Sequence, residues 1–396
     1  MQPKIAVIGA GIAGLTAALA LSQRGFHVDV IESYDALAEV GAGLQLSPNV
    51  TRLLIDLGLA AALPSIIAEP KTLALRSGTS RRLLCELQFG ESARTRWHAP
   101  YGVAHRTDLQ NILAAAVADK TNVRMHMGKH IAADTEDDLL TIITEIVGEE
   151  PVLVVGADGV WSSTRKIAAA HSPATFSGTV AWRGVSENLY SSDGDSLPTV
   201  TAFLAPGSHL VLYPLGRRNA VNVIAITAGT IDSHEWDLAA EPASLLEHFK
   251  GWDEGIRAWL ADTTWRRWPL FEVRQTVFSA GARTVLIGDA AHALTPHAAQ
   301  GAAMAIEDAC ALAECMATAG GDIEKAIKTF SAARTPRIAR VRKRGDFNKF
   351  TYQAGGPVRM VRDIVLSLRS PEKLMSDFDW LYGYDAIAAV SKTAQS

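Results

Sequence analysis

Cysteine is scarce: Cys85, Cys310 and Cys315 are the only three in 396 residues, and none belongs to a CxxC pair. Two of them fall on one expected helix, so they read as reduced thiols of a cytoplasmic protein, with neither a disulfide framework nor a metal site. Long apolar runs are missing as well, and no uninterrupted stretch reaches the ~18 residues of a membrane-spanning helix. The apolar N-terminus is broken by Gly9, Gly11 and Gly14 and lacks a strongly basic lead, which argues against a secretory signal. Positive charge is not in excess: 38 basic against 42 acidic residues give a net charge of −4, which argues against a nucleic-acid-binding protein. The basic cluster Arg334, Arg337, Arg340, Arg342, Lys343 and Arg344 is spaced over more than one helix face and reads as a solvated surface. No internal repeat or low-complexity tract occurs. With 48% apolar and 20% charged residues the chain can form a sizeable core. Its length suits two or three domains, or one large α/β domain with an insertion.

The stretch Val285 to Ala309 joins a strand, a loop and a long helix with almost no ordinary surface sequence between them. Val285-Leu286-Ile287 reads as an interior parallel strand ending at Gly288-Asp289, and open α/β sheets bind ligands at that end. From about Ala299 a helix begins, with Met304, Ile306 and Leu312 on its apolar side and Gly301 in its first turn. Its unpaired N–H groups should point at whatever lies beside Gln300 and Gly301. Pro296 and His297 fall where a loop faces a ligand; a plain strand-loop-helix connection is the other reading.

At the N-terminus Lys4–Ile8 reads as a buried strand, Gly9 to Gly14 as a tight turn, and the following residues to Gln23 as a helix. A second strand, His27–Ile31, ends in Glu32. A lone GxGxxG is weak evidence, but here strand, helix, second strand and acid are all in place, so Gly9, Gly11, Ala13 and Gly14 form a dinucleotide site. The glycines admit a pyrophosphate to the helix N-terminus, and Glu32 accepts from a ribose 2′-OH, which suits the ADP-ribose of FAD or NAD. Val40 to Asn49, including Gln45, reads as backbone passing close to something flat, or as a plain Gly-rich turn. Arg106 stands just ahead of Thr107, the expected N-cap of a helix, in reach of a phosphate. Residues 121–147 read as strand and hairpin. Asp158, in Gly156-Ala157-Asp158-Gly159, lies at the carboxyl end of another apolar strand, as Asp289 does. From Gly178 to Glu272 alternation with period two predicts an antiparallel sheet with one helix over 243–260. Trp182 and Tyr213 are the first candidates for an apolar pocket wall there, or belong to the core.

Taken together, Gly9–Gly14 with Glu32, the Asp158 motif and Gly288–Gly301 resemble, in order and spacing, the flavin-dependent aromatic hydroxylases, the single-component FAD monooxygenases. The resemblance covers nearly the whole chain. Within that group the segments at 41–49, 176–184, 296–309 and 380–386 look most like the salicylate hydroxylase, 3-hydroxybenzoate hydroxylase and 6-hydroxynicotinate 3-monooxygenase branch. It implies a para-hydroxybenzoate-hydroxylase-like α/β fold: a Rossmann-like FAD domain (1–70, 102–175, 281–330), an inserted antiparallel-sheet substrate domain (71–101, 176–280) and a C-terminal helical region (331–396). It also implies non-covalent FAD, reduction by NADH or NADPH, and attack of a flavin C4a-hydroperoxide on a small aromatic or N-heteroaromatic acid or phenol. Gly9, Gly11, Gly14, Glu32, Arg106 and Asp289 match the family's FAD-contacting positions, and Asp158 its second nucleotide motif. No second Rossmann fingerprint is present, so the nicotinamide site is expected to be transient and shared.

In the 6-hydroxynicotinate enzymes a His at the place of Gln45 acts with a Tyr matching Tyr213; Gln cannot act as a base, so this position departs from the pattern. Physical arguments add to the resemblance. The helix starting at Gln300, Gly301 and Ala302 would stabilise an anionic reduced flavin by ~1–2 kcal/mol if partly buried. Tyr213 and His297 are the candidates for handling a substrate proton, with Gln45, Trp182, Pro296 and Gln300 lining the substrate, and His292 structural. A monomer or homodimer is expected, with no nucleic-acid or membrane partner. The alternatives are a larger or non-aromatic substrate, or a flavoprotein that binds without catalysis.

Overall fold

A computed structural model describes residues 3–37, 43–168, 172–186, 199–215, 220–231 and 238–394. Part of the glycine segment at 40–42 lies outside them.

Five short strands build a parallel sheet in the order Thr284–Leu286, Leu153–Gly156, Lys4–Ile8, His27–Ile31, Val123–His126. Their apolar residues are buried on both faces, as a parallel sheet sandwiched between helices requires. Helices Ile12–Gln23 and Gly301–Thr318 pack on one face. The strand Thr284–Leu286 lies at the sheet's end, not in its interior as its composition suggested. It is dry nonetheless because residues 278–280 cover its open edge: Leu286 N donates to Phe278 O (2.7 Å) and Ala280 N to Thr284 O (2.9 Å).

Residues 136–147 form a helix, not the hairpin expected. Thr135 caps it, its hydroxyl accepting from Asp138 N, and three acids occupy the first turn. Leu139, Leu140, Ile143 and Val147 then fall on one face at helical spacing. The Glu136 carboxylate accepts from Ala282 N, Arg283 N and the Thr284 hydroxyl, tying this helix to the entrance of the last parallel strand.

The second sheet has eight strands and includes Thr72–Ser77 and Leu83–Gln88 beside six strands drawn from 175–272. Its outer face packs on Pro242–Leu246 and Glu254–Ala261, two helices where one was expected. Its inner face shares the main core with the parallel sheet through Val200, Ala202, Leu204 and Tyr213. A small antiparallel sheet of Gly43–Leu46, Gly102–His105 and Ile67–Ala68 bridges the two. The C-terminal quarter is helical, led by Ile323–Tyr352 and Gly356–Leu368. Among the described residues no helix is long and apolar enough to cross a membrane.

The arginine cluster is not a solvated surface throughout. Arg334 is fully buried and Arg337 nearly so, because helix Gly301–Thr318 presents two buried acids to them. Arg334 donates to Asp308 (2.7 Å) and Glu307 (2.8 Å), and Arg337 donates to Glu307 (2.7 Å) and to the carbonyls of Trp380 and Leu381.

Candidate functional site

The three glycine motifs meet at the carboxyl edge of the parallel sheet. Gly9 has φ +99°, and a Cβ there would stand 2.6 Å from Ala157 O, so the first turn and the Asp158 loop touch backbone to backbone. At Gly288 (φ +60°) a Cβ would come within 3.2 Å of the Ala13 methyl and 3.1 Å of the Ala305 methyl, which brings in the third motif. Arg165, buried in the loop after Asp158, locks the same junction by donating to Ala290 O (2.8 Å) and Val160 O (2.6 Å).

Helix Ile12–Gln23 starts at Gly11 with no side-chain cap, leaving the first-turn N–H groups, Ala13 and Gly14 included, open toward the sheet edge. Glu32 stands at the end of the next strand, its carboxylate accepting from Ala10 N (2.7 Å), Ser33 Oγ and Tyr34 N. An uncapped helix end beside a positioned carboxylate fits a pyrophosphate and ribose. Asp158 Oδ2 accepts from Ser163 Oγ, Thr164 N and Thr164 Oγ1, while Oδ1 is buried with no partner. Asp289 is exposed at the end of its strand. Arg106 opens helix Arg106–Ala118, whose cap is the His105 ring and not Thr107.

The second uncapped helix end lies at Gln300 and Gly301. Ala299 takes a left-handed φ of +52°, which turns the chain from the Pro296–Ala298 turn into the helix and leaves Pro296 exposed. A Cβ on Gly301 would meet nothing within 4 Å, so space beside it and Ala302 is open. Gln300 is buried and donates from Nε2 to Ser47 Oγ (3.1 Å). Ser47 Oγ contacts Asn49 Oδ1 (2.6 Å), and Asn49 Nδ2 donates to Glu307 (2.7 Å). Burial alone would raise the pKa of Glu307 and Asp308, but the neighbouring guanidiniums, with His292 at Asp308, hold both below the ordinary carboxylate range. His292 binds Asp308 Oδ2 (2.6 Å), whose other bond is from Gly288 N.

The inner face of the eight-stranded sheet supplies the remaining groups. His209, Val211 and Tyr213 alternate inward along their strand, opposite Ile226, Ile224 and Asn222. The Tyr213 ring packs on Gly43, where a Cβ would be 3.0 Å from its hydroxyl. Gly43 N donates to Asn222 Oδ1 (3.0 Å), while Asn222 Nδ2 is buried without a partner. Gln45 Oε1 accepts from the Tyr101 hydroxyl at 2.5 Å. His209 lies 5.4 Å from both the His297 and Tyr352 rings, centroid to centroid. Both ring nitrogens of His297 and Nδ1 of His209 are buried with no partner. Buried polar atoms of this kind call for a ligand.

Trp182 belongs elsewhere. It points to the outer face, in a core with Leu245, Phe249 and Trp252, and its indole donates to Thr227 Oγ1. Alternation along the strand puts its neighbour Arg183 on the opposite face, with the guanidinium 3.9 Å from the Trp268 ring centroid. His209, Asn222 and Tyr101 were not singled out in the sequence; for His209 the signal was available, two residues before Tyr213 and on the same face.

Burial lowers the pKa of both imidazoles, His209 to about 3, with His297 adding to the effect, and His297 to about 4, with Lys349 adding to it. Both are neutral at pH 7. An unfolded histidine titrates near 6.5, so the unfolded chain binds protons that the folded one refuses. The stability this contributes is complete above about pH 6.5 and is lost as the pH falls toward 4. The thermal midpoint should therefore drop across that window, and His209→Gln/His297→Gln should flatten the drop. An unchanged slope in the double variant would assign it to other groups.

Comparison with known proteins agrees with this geometry. The chain matches the FAD binding domain family over residues 2–344. It is 34% identical to a 3-amino-4-hydroxybenzoate 2-monooxygenase of Streptomyces platensis, covering 99% of this chain and 98% of the relative. It is 28% identical to a 3-hydroxybenzoate 6-hydroxylase of Polaromonas naphthalenivorans, with 98% of each covered. A salicylate hydroxylase solved with its substrate shares the fold at a TM-score of 0.79 and 22% identity, over 99% of this chain and 98% of that one. Two uncapped helix ends at the carboxyl edge of a parallel sheet, with the Glu32 carboxylate beside the first, fit a bound dinucleotide. The chain belongs to the FAD binding domain family: it binds FAD and is an FAD-dependent monooxygenase.

Proposed function

We propose that the enzyme hydroxylates a small aromatic acid or phenol, N-heteroaromatic rings included, using O2 and NADH or NADPH. The observation that carries this reading is the set of buried, unpartnered atoms at His297, His209 Nδ1 and Asn222 Nδ2, with the His209 and His297 rings 5.4 Å apart. A flat ring bearing hydroxyl or carboxylate groups satisfies such a set, and the relatives named above act on hydroxylated benzoates. Bound FAD, once reduced, supplies the activated oxygen.

Gly9, Gly11, Ala13, Gly14, Glu32, Arg106 and Asp289 are assigned to FAD, Asp158 to a nucleotide, and Gly301 and Ala302 to the flavin ring. Gln45 and Gln300 are assigned to the substrate, with Pro296 shaping their loop. Of the two candidates for the substrate proton, Tyr213 is held protonated, because burial raises its pKa further than Arg183 lowers it. It is a donor. His297, neutral at pH 7, has a lone pair to offer and is the acceptor. His297→Ala should lower kcat by ~10²-fold or more while leaving FAD content unchanged. Turnover and pH dependence equal to wild type would take the proton chemistry away from this ring. Trp182 is withdrawn from the substrate set.

We further assign flavin binding to 1–70, 102–175 and 281–330, substrate binding to 71–101 and 176–280, and support to 331–396. A cytoplasmic setting is favoured by three cysteines that are all free and buried. The deciding experiment is NADH and NADPH oxidation across hydroxybenzoates, aminohydroxybenzoates and hydroxypyridines. Stimulation of roughly tenfold or more by at least one monocyclic acid is expected, with the hydroxylated product recovered; stimulation only by larger or non-aromatic compounds would replace the reading.

A further inference from the structure

Helix Gly356–Leu368 is amphipathic in the reverse of the usual sense. Its charged residues all face the protein. Arg362 is buried and donates to the carbonyls of Thr351 (2.8 Å) and Tyr352 (3.3 Å) and to Asp363 (2.7 Å). Arg359 donates to Thr79 Oγ1 (2.7 Å), and Asp363 pairs with Arg82 across the turn of the Thr72–Gln88 hairpin. The helix is thus fixed by its polar side, and what it shows to solvent is Val358, Met360, Val361, Ile364, Val365 and Leu368, between 46% and 79% exposed. Phe347 and Phe350, on the last turns of the preceding helix, are 58% and 62% exposed. These eight make up more than half of the fourteen exposed large hydrophobics among the described residues, so the apolar surface is concentrated, not scattered.

We propose that this face is the interface of a homodimer, with a second copy of the chain as its occupant. The side chains offer on the order of 900 Å², about the ~800 Å² that each partner gives to a standard interface and above what monomers usually leave bare. No charged side chain of the helix lies on the face, so it holds nothing by which an oppositely charged partner would be chosen. For the same reason it lacks the outward Lys and Arg that draw an amphipathic helix to an anionic bilayer. A strip that is apolar apart from Ser367, whose hydroxyl donates to Ile364 O, is complementary to itself, and a two-fold axis across the helix covers both copies at once. The face stands behind the pocket wall: Arg362 holds the backbone of Tyr352, whose ring meets His209. This inference does not depend on the identity of the substrate.

The test is the mass of the FAD-loaded protein by light scattering and sedimentation equilibrium. Wild type should run as a particle of twice the 42.4 kDa chain. Ile364→Glu/Leu368→Glu should be monomeric at the same concentration, with unchanged flavin absorbance. If that variant fails to hold FAD, Met360→Lys alone should raise the dimer dissociation constant at least tenfold. A monomeric wild type overturns the proposal, as does a dimer that persists in these variants. Flotation with vesicles of zwitterionic and anionic phospholipid separates the remaining case: a monomer that floats assigns the face to lipid and also overturns it.

Discussion

Gly14→Ala is expected to give colourless protein. In an ordinary helix interior that change stabilises by ~1 kcal/mol, since alanine is the better helix former. Here the added Cβ would stand within 1.8 Å of Gly9 O, well inside contact distance, and Gly9 is itself pressed against Ala157. The turn must open, and the uncapped N–H groups that meet the pyrophosphate move with it. The ratio of flavin to protein absorbance after purification should fall from near one FAD per chain to below about a tenth, and added FAD should not restore it at concentrations that saturate wild type. Stoichiometric FAD in the variant would show that the Gly9–Gly14 turn is not the pyrophosphate site.

Arg334→Leu is expected to have the largest effect on stability. The substitution leaves Glu307 and Asp308, both fully buried, with one cation fewer between them. Breaking one side of a buried ion pair costs ~3–5 kcal/mol, on the order of 4–6 °C in Tm for a chain of this size. The pH dependence has a definite sign. Both carboxylates titrate below their ordinary range in the fold, so the stability they contribute is present above about pH 4 and is lost as the pH falls through their folded pKa. The gap between wild type and variant should therefore be widest near neutrality and narrow in acid. A Tm within about 1 °C of wild type at pH 7 would mean that the network is replaceable by apolar packing, as buried ion pairs sometimes are.

The parts of the site that could be read from the sequence are those fixed by local backbone geometry. Gly9 and Gly288 occupy positive φ and sit within van der Waals reach of another loop, demands that leave few residue choices and so a visible motif. What could not be read depends on partners far along the chain. Alternation around Trp182 shows that it and Arg183 face opposite ways, but not which face looks toward the flavin; that is decided by the helices at 242–261 covering the outer side. Arg334 looks like its exposed neighbours until the acids on the preceding helix are seen to lie against it. The helix at 136–147 differs in kind, because its cap and its helical spacing are local and visible in the sequence that was expected to form a hairpin.

The chain of contacts from Glu307 to Gln300 also fixes which atom does what. A carboxylate held ionised by two guanidiniums can only accept, so Asn49 must present its NH2 to Glu307 and its oxygen to Ser47. The single hydroxyl proton of Ser47 is then committed to Asn49, which obliges Gln300 to give an N–H to Ser47 and leaves its carbonyl, 3.4 Å from Ser47 Oγ, without a proton from that hydroxyl. Charge on a C-terminal helix thus sets the polarity of a loop that contains none, and at position 300 a ligand is offered an acceptor.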